Sequence, residues 1–206
     1  MFRLKNAIGS SPSFFIPIFL FFTIGILVHF YLPYDVISLE VNKRNTYVLD
    51  VLFKNITHLG DGIFVVCIGL MAFWINRVVA QKILVSYGFV SIICTTLKQL
   101  IFKGMPRPIE HFKDIQSELN MIEGFQPNHL NTFPSGHTAA AFGLFTVLAF
   151  YIKNPWLQGA FAILTIFIGF SRVYLFEHFL RDVLAGALIG CLSAILTEYI
   201  FNKKRS

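Results

Sequence analysis

Apolar residues run along this chain in six long blocks, at 14–32, 62–75, 78–100, 138–152, 157–170 and 183–201, with polar stretches between them. A helix needs about 20 mostly apolar residues to cross roughly 30 Å of hydrocarbon, and its backbone hydrogen bonds must close within the segment. The pattern predicts an all-α polytopic membrane protein with six transmembrane helices. Blocks 62–75 and 138–152 are short, so they must borrow flanking residues or sit where the bilayer is thinned. The first block follows Arg3 and Lys5 as a signal peptide would, but it ends in His29-Phe30-Tyr31-Leu32-Pro33 without a small-residue cleavage site and reads as a retained helix. Between the first two blocks, Val48, Leu49, Leu52, Phe53 and Ile56 recur at helical spacing opposite Asp50, Lys54 and Asn55, which predicts a short helix lying on the membrane surface. No internal repeat, low-complexity tract or linker interrupts the pattern, so residues 1–206 read as a single membrane-embedded domain.

Composition agrees with lipid as the solvent. Of the 206 residues, 55% are apolar and 14% charged, and 24 are Phe; a soluble chain of this size has too little interior for that much apolar surface. The net charge of +6 would suit a nucleic-acid partner, but the basic residues stand at the ends of apolar blocks and form no stripe, so none is expected. Arg3 and Lys5, Arg77 and Lys82, Lys153, and Lys203, Lys204 and Arg205 fall on one face of a six-span arrangement. Dense Lys and Arg in short loops mark the cytoplasmic side. The expectation is an inner-membrane bacterial protein with cytoplasmic termini and loops 33–61 and 102–134 outside. Cys67, Cys94 and Cys191 lie within apolar blocks and are odd in number, which implies neither a disulfide framework nor a zinc site.

Three polar clusters interrupt the apolar pattern. Lys98 precedes Pro106-Arg107-Pro108; Pro134-Ser135-Gly136-His137 opens the fourth block; and Ser171-Arg172 runs through His178 to Asp182 between the fifth and sixth. Span parity returns all three to one membrane face. Two arginines and a lysine supply fixed positive charge, and the planar arginine fork suits phosphate oxygens. Ser135 and Gly136 stand at a helix start, where free N–H groups and the dipole favour an anion. His178 and Asp182, four apart, share a face if that stretch is helical, so the carboxylate can fix the imidazole tautomer. The bland alternative makes Arg172 and Asp182 a structural ion pair closing the connection, with Glu177 and Arg181 a second. His29, His58, His111 and His129 lack such context and read as interface or loop residues.

These clusters resemble the signature of the type 2 phosphatidic acid phosphatase superfamily of membrane lipid phosphatases: a lysine ahead of Arg-Pro, then Pro-Ser-Gly-His, then Ser-Arg, five residues, His, three residues, Asp. The second and third blocks match in full, whereas eight residues separate Lys98 from Arg107 in place of the usual six, which leaves Lys103 as the other candidate for the first block. The resemblance implies metal-independent phosphoryl transfer with no cofactor. His178 would be the nucleophile, Asp182 would orient it and His137 would protonate the leaving oxygen. Lys98, Arg107, Ser135, Gly136 and Arg172 would hold the phosphoryl oxygens.

The leading function is therefore hydrolysis of a lipid phosphate monoester or diphosphate, such as phosphatidate, phosphatidylglycerol phosphate, a polyprenyl diphosphate or lipid A, at the outer leaflet. Alternatives are a lipid phosphotransferase using the same chemistry and a small lipid or anion transporter, although the charges gather at one face rather than mid-membrane. The loop 109–132, with Glu110, Asp114, Glu118 and Glu123, reads equally as a lid or as an inert solvated loop.

Overall fold

The computed structural model describes residues 9–203, so Arg3, Lys5, Lys204 and Arg205 of the charge argument lie outside the described residues. In chain order the α-helices are α1 (Pro12–Tyr31), α2 (Tyr34–Asn42), α3 (Tyr47–Ile56), α4 (Gly62–Met71), α5 (Arg77–Thr96), the one-turn α6 (Pro108–His111), α7 (Gly136–Ala149), α8 (Pro155–Tyr174) and α9 (Leu180–Lys203). Their starts carry local signals. Pro12 and Pro155 occupy first-turn positions, where a missing N–H costs nothing. Asn76 and Asn154 accept the first free N–H groups of α5 and α8 at 2.9 to 3.3 Å.

All six predicted blocks are helical, but they do not make six spans of full length. Among the described residues four helices are long and apolar enough to cross: Pro12–Tyr31, Arg77–Ile101, Pro155–Tyr174 and Leu180–Lys203. The predicted surface helix, α3, does not lie alone on the surface. It continues through a 3-10 turn at Thr57–Gly60 into α4, with a bend of 57° between them, and the two together make a fifth span at most. At 1.5 Å per residue, the 14 residues of α7 cover about 21 Å, short of the hydrocarbon thickness. Its start is set by the second polar cluster, with the buried Ser135 as its cap.

That short helix is the hub. It packs most extensively on α9, then on α5 and α8, and Ala139, Ala140, Ala141, Phe142 and Leu144 are buried. Small residues allow the close approach, as they do where membrane helices pack without a strong hydrophobic drive between them. A Cβ added at Gly186 would lie 2.4 Å from the Ser135 carbonyl oxygen, and one at Gly190 would lie 2.4 Å from that of Ala139. At the other end of the bundle Lys82 of α5 and Glu198 of α9 form a buried ion pair at 2.7 Å.

The loop 109–132 is clamped. Asn42 on α2 and Asn120 exchange hydrogen bonds of 2.9 to 3.0 Å, two of them donated by Asn120 and one by Asn42. Lys54 on α3 donates to the Glu123 carbonyl at 2.6 Å. At its base, the Arg107 N–H donates to His129 O at 2.8 Å and Thr132 N–H to Met105 O at 3.2 Å.

Candidate active site

The C-terminal ends of α5 and α8 and the N-terminal ends of α7 and α9 converge, and they bring the three clusters together. α5 runs into a π-helical turn at Leu97–Ile101, closed by the Phe102 N–H donating to Leu97 O at 2.8 Å. A π turn holds one more residue than an α turn, and Gly104 then reverses the chain at φ +78°. These two features absorb the long interval between Lys98 and Arg107. Lys98, Gly136 and His137 line a cavity of about 240 Å³, with Tyr87, Ser91 and Thr95 on its α5 wall. Lys103 sits exposed on the turn.

Arg107 is buried, and its Nε donates to the Leu130 carbonyl at 2.9 Å. Arg172 is buried near the end of α8, where it donates to the Thr57 hydroxyl. Between the two guanidinium groups stands Glu177. Its carboxylate is bonded to Arg107, lies 3.6 Å from Arg172 Nη2, and accepts from Asn128 Nδ2 at 3.1 Å. The pairing expected under the bland reading is thus corrected: Glu177 serves the two arginines, while the Arg181 guanidinium lies over the Tyr34 ring at 4.1 Å.

His178 is 1% exposed and Asp182 is fully buried. The helical spacing argument for them is also corrected, because His178 lies ahead of α9 and not on it. After α8 the backbone turns through Phe176 at φ +58°. This left-handed conformation costs a β-carbon residue roughly 1–2 kcal/mol, and the Phe176 ring is buried against Ile109, Phe112 and Phe179. The turn sends the Glu177 and His178 N–H groups back to Arg172 O, both at 3.0 Å. His178 Nδ1 then stands 3.6 Å from Asp182 Oδ2, an ion-pair separation longer than a hydrogen bond. The Thr132 hydroxyl bridges the gap, donating to Asp182 Oδ2 and lying 3.4 Å from His178 Nδ1. The same carboxylate oxygen accepts from Phe179 N at 3.0 Å. Ser135 N–H donates to the Asp182 carbonyl at 3.0 Å, which ties the second cluster to the third through backbone. The Ser135 hydroxyl caps α7, accepting from Thr138 Oγ1 at 2.9 Å.

His137 stands apart from that pair and has a carboxylate of its own: Nε2 is 2.7 Å from Asp61 Oδ1, while Asp61 Oδ2 is 3.0 Å from His58 Nδ1. Asp61, Thr57, Thr132, Asn128 and the role of Glu177 escaped the sequence reading. The only signals were Gly60 and Gly62 flanking Asp61 and an acid inside the third block; the rest are ordinary polar residues whose partners are 46 to 115 positions away.

Electrostatically the centre is cationic. Burial pushes the His178 imidazole well below its ordinary pKa, and the charges of Arg107, Arg172 and Lys98 push the same way. It is therefore neutral at pH 7, with a lone pair to offer. Burial lowers Arg107 to about 10, which leaves it charged. Among the described residues no three His, Cys, Asp or Glu side chains are grouped to hold a metal ion. The arrangement is suited to holding an anion beside a neutral nucleophile.

Comparison with known proteins agrees with this geometry. The chain is 27% identical to a lipid A 1-phosphatase of Rhizobium etli, over 72% of this chain and 69% of that one. It is 26% identical to phosphatidylglycerophosphatase B of Bacillus subtilis, over 73% and 74%, and 28% identical to the bacitracin transport permease protein BcrC of Bacillus licheniformis, over 68% and 66%. A shorter match, 39% identical, spans only 16% of a lipid A 1-phosphatase of Porphyromonas gingivalis. Among solved structures, Aquifex aeolicus LpxE superposes with a TM-score of 0.67 at 26% identity, covering 78% of this chain and 91% of that one. The transmembrane PAP2 type phosphatidylglycerolphosphate phosphatase from Bacillus subtilis superposes with a TM-score of 0.63 at 26% identity, covering 91% and 96%. The model of the PAP2 superfamily matches residues 80–206, which include every residue of the three clusters, and the chain belongs to that superfamily of membrane phosphatases.

Proposed function

We propose that this integral membrane protein removes the phosphoryl group from a lipid phosphate through a phosphohistidine, with His178 as nucleophile. The observation that carries the reading is the convergence of Lys98, Arg107 and Arg172 on a buried His178 whose Nδ1 faces Asp182 and Thr132. With Nδ1 held on that side, the other ring nitrogen, Nε2, is the one left to attack phosphorus. The three cations and the N–H groups at the start of α7 stabilise the phosphoryl oxygens as charge spreads over them in the transition state. The P–O bond to the lipid breaks as the N–P bond forms, and His137 gives its proton to the departing oxygen. Water then attacks phosphorus, returns a proton to His137 and frees the His178 nitrogen, releasing inorganic phosphate.

Lys98, not Lys103, is the phosphate lysine in this reading, since it shares a cavity with Gly136 and His137. The substrate is a lipid monoester or diphosphate, as the names of the lipid A and phosphatidylglycerol phosphate phosphatases among its relatives suggest. The chain termini are cytoplasmic and the site opens outward, on the density of Lys and Arg in the short loops.

The test is phosphate release by purified protein from phosphatidate, phosphatidylglycerol phosphate, a polyprenyl diphosphate and lipid A 1-phosphate, with and without a chelator. One substrate should be preferred, turnover should survive chelation, and His178→Ala and Lys98→Ala should lose it while Lys103→Ala keeps it. Full activity of His178→Ala, or loss on chelation reversed by a divalent metal, would exclude this mechanism.

A further inference from the structure

We infer that residues 57–62, ahead of the matched stretch 80–206, form a fourth part of the site, in which Asp61 is a positioning residue that orients His137 and stabilises its protonated form. The inference rests on the phosphohistidine reading and deepens it.

Each end of this segment is tied to a different cluster. Thr57 accepts from Arg172 of α8, and Asp61 pairs with His137 of α7. Between them Gly60 lies flat against the α7 start: a Cβ there would come within 2.9 Å of both the His137 carbonyl oxygen and Ile168 Cγ2. Gly62 meets Tyr87 so closely that an added Cβ would overlap its hydroxyl. The two glycines let the bent chain between α3 and α4 press a carboxylate onto His137. His58 holds the carboxylate's second oxygen at 3.0 Å, which leaves Oδ1 for His137.

The chemistry needs such a group. A general acid must be protonated when the lipid oxygen departs, yet burial pushes the His137 imidazole down to about 4, and the cations Arg172 of α8 and Lys98 of the π turn push the same way. Positive neighbours disfavour a second proton on the ring. Asp61 is the negative charge that opposes them, and by accepting from Nε2–H it leaves Nδ1–H to face the leaving oxygen. Proton and bonds balance over the cycle. His137 loses the Nδ1 proton to the lipid oxygen as N–P forms and P–O breaks; it regains a proton from water as the new O–P forms and N–P breaks. The Asp61 carboxylate exchanges no proton in either step. The site thus holds two histidine–carboxylate pairs, His178 with Asp182 and His137 with Asp61, the first orienting the nucleophile and the second opposing the burial and the cations that weaken the hold of His137 on the proton it must deliver.

The experiment separates leaving-group protonation from folding and binding. Wild type, Asp61→Asn and Asp61→Glu are compared on phosphatidate, whose alkoxide must be protonated, and on a long-chain nitrophenyl phosphate, whose phenolate leaves without a proton; nitrophenol release is followed in the first turnover. General acid catalysis contributes typically 10²–10⁴-fold. Asp61→Asn should therefore lower kcat on phosphatidate about 100-fold with KM within about twofold, while first-turnover nitrophenol release falls less than about threefold. Asp61→Glu, which keeps the charge, should recover at least about a tenth of the wild-type phosphatidate rate. Equal losses on both substrates, no loss on either, or Asp61→Glu as poor as Asp61→Asn would overturn the role of Asp61. No release by wild type from any lipid phosphate would instead overturn the phosphatase reading beneath it.

Discussion

The carboxylate of Glu177 is bonded to the guanidinium of Arg107, both of them buried. Because Arg172 lies 3.6 Å from the same oxygen, one acid sits between the two arginines that would face a phosphoryl group. It lowers their mutual repulsion and fixes the direction of both forks. Glu177→Ala should destabilise the protein by about 3–5 kcal/mol, since it strands buried charge. Glu177→Gln should be milder and more informative: removing a negative charge beside the anion should tighten inhibition by inorganic phosphate, while looser arginines lower kcat about tenfold. Steady-state kinetics with phosphate as inhibitor reads both, and an unchanged kcat would show that the arginines hold their places without it.

A second expectation follows from the pKa of His178. Its folded value lies well below the ordinary 6.5, so below that pH the unfolded chain takes up a proton that the folded protein refuses. The contribution to stability is full above about pH 6.5 and is lost as pH falls toward the folded pKa, with a slope of up to about 1.4 kcal/mol per pH unit. Apparent Tm in detergent, measured between pH 7.5 and 5, should drop more steeply for wild type than for His178→Gln. Parallel curves would contradict a buried neutral imidazole.

The α7–α9 contact sets a third. A methyl at Gly190 would meet Ala139 O at 2.4 Å and Gly143 N at 2.8 Å, backbone atoms that cannot turn aside. Gly190→Ala should lower the apparent Tm by several degrees and reduce activity, because α9 carries Asp182 and α7 carries His137. Gly88, in the middle of α5, has nothing within 4 Å of an added Cβ. Gly88→Ala should raise stability by roughly 0.5–1 kcal/mol through helix propensity alone. If both substitutions act alike, close packing is not what joins these helices.

The ion pair between Lys82 and Glu198 sets a fourth. Lys82 Nζ also faces the rings of Tyr151 and Phe201, at 5.1 and 5.7 Å from their centroids. Glu198→Gln, which leaves Lys82 buried without its partner, should cost about 3–5 kcal/mol, whereas Lys82→Met with Glu198→Leu together should recover most of it. Thermal unfolding of Lys82→Met, Glu198→Leu and the double variant, beside Glu198→Gln, tests this. A double variant as unstable as the sum of the singles would mean that the pair is not coupled.

What the chain determined by itself is what depends on local order. Runs of apolar residues place helices at all six predicted blocks, since a helix in lipid closes its hydrogen bonds within its own segment. Fixed short spacings likewise singled out Ser135, Gly136, His137, Arg172, His178 and Asp182 as candidates, because each set lies within a short continuous stretch of chain. Tertiary structure decided the rest. Helical blocks do not reveal how much bilayer each one crosses, so α7 proved short and α3 proved to be bent into α4. Spacing could not place Lys98 beside Gly136 and His137 and Lys103 on an exposed turn, because a π turn changes the register without leaving a mark in composition. Nor could it pair Glu177 with Arg107, Thr132 with Asp182 or Asp61 with His137, which lie 70, 50 and 76 positions apart. An electrostatic partnership over such distances is chosen by how the helices pack, and here the small faces of α7 and α9 bring those side chains within reach of one another.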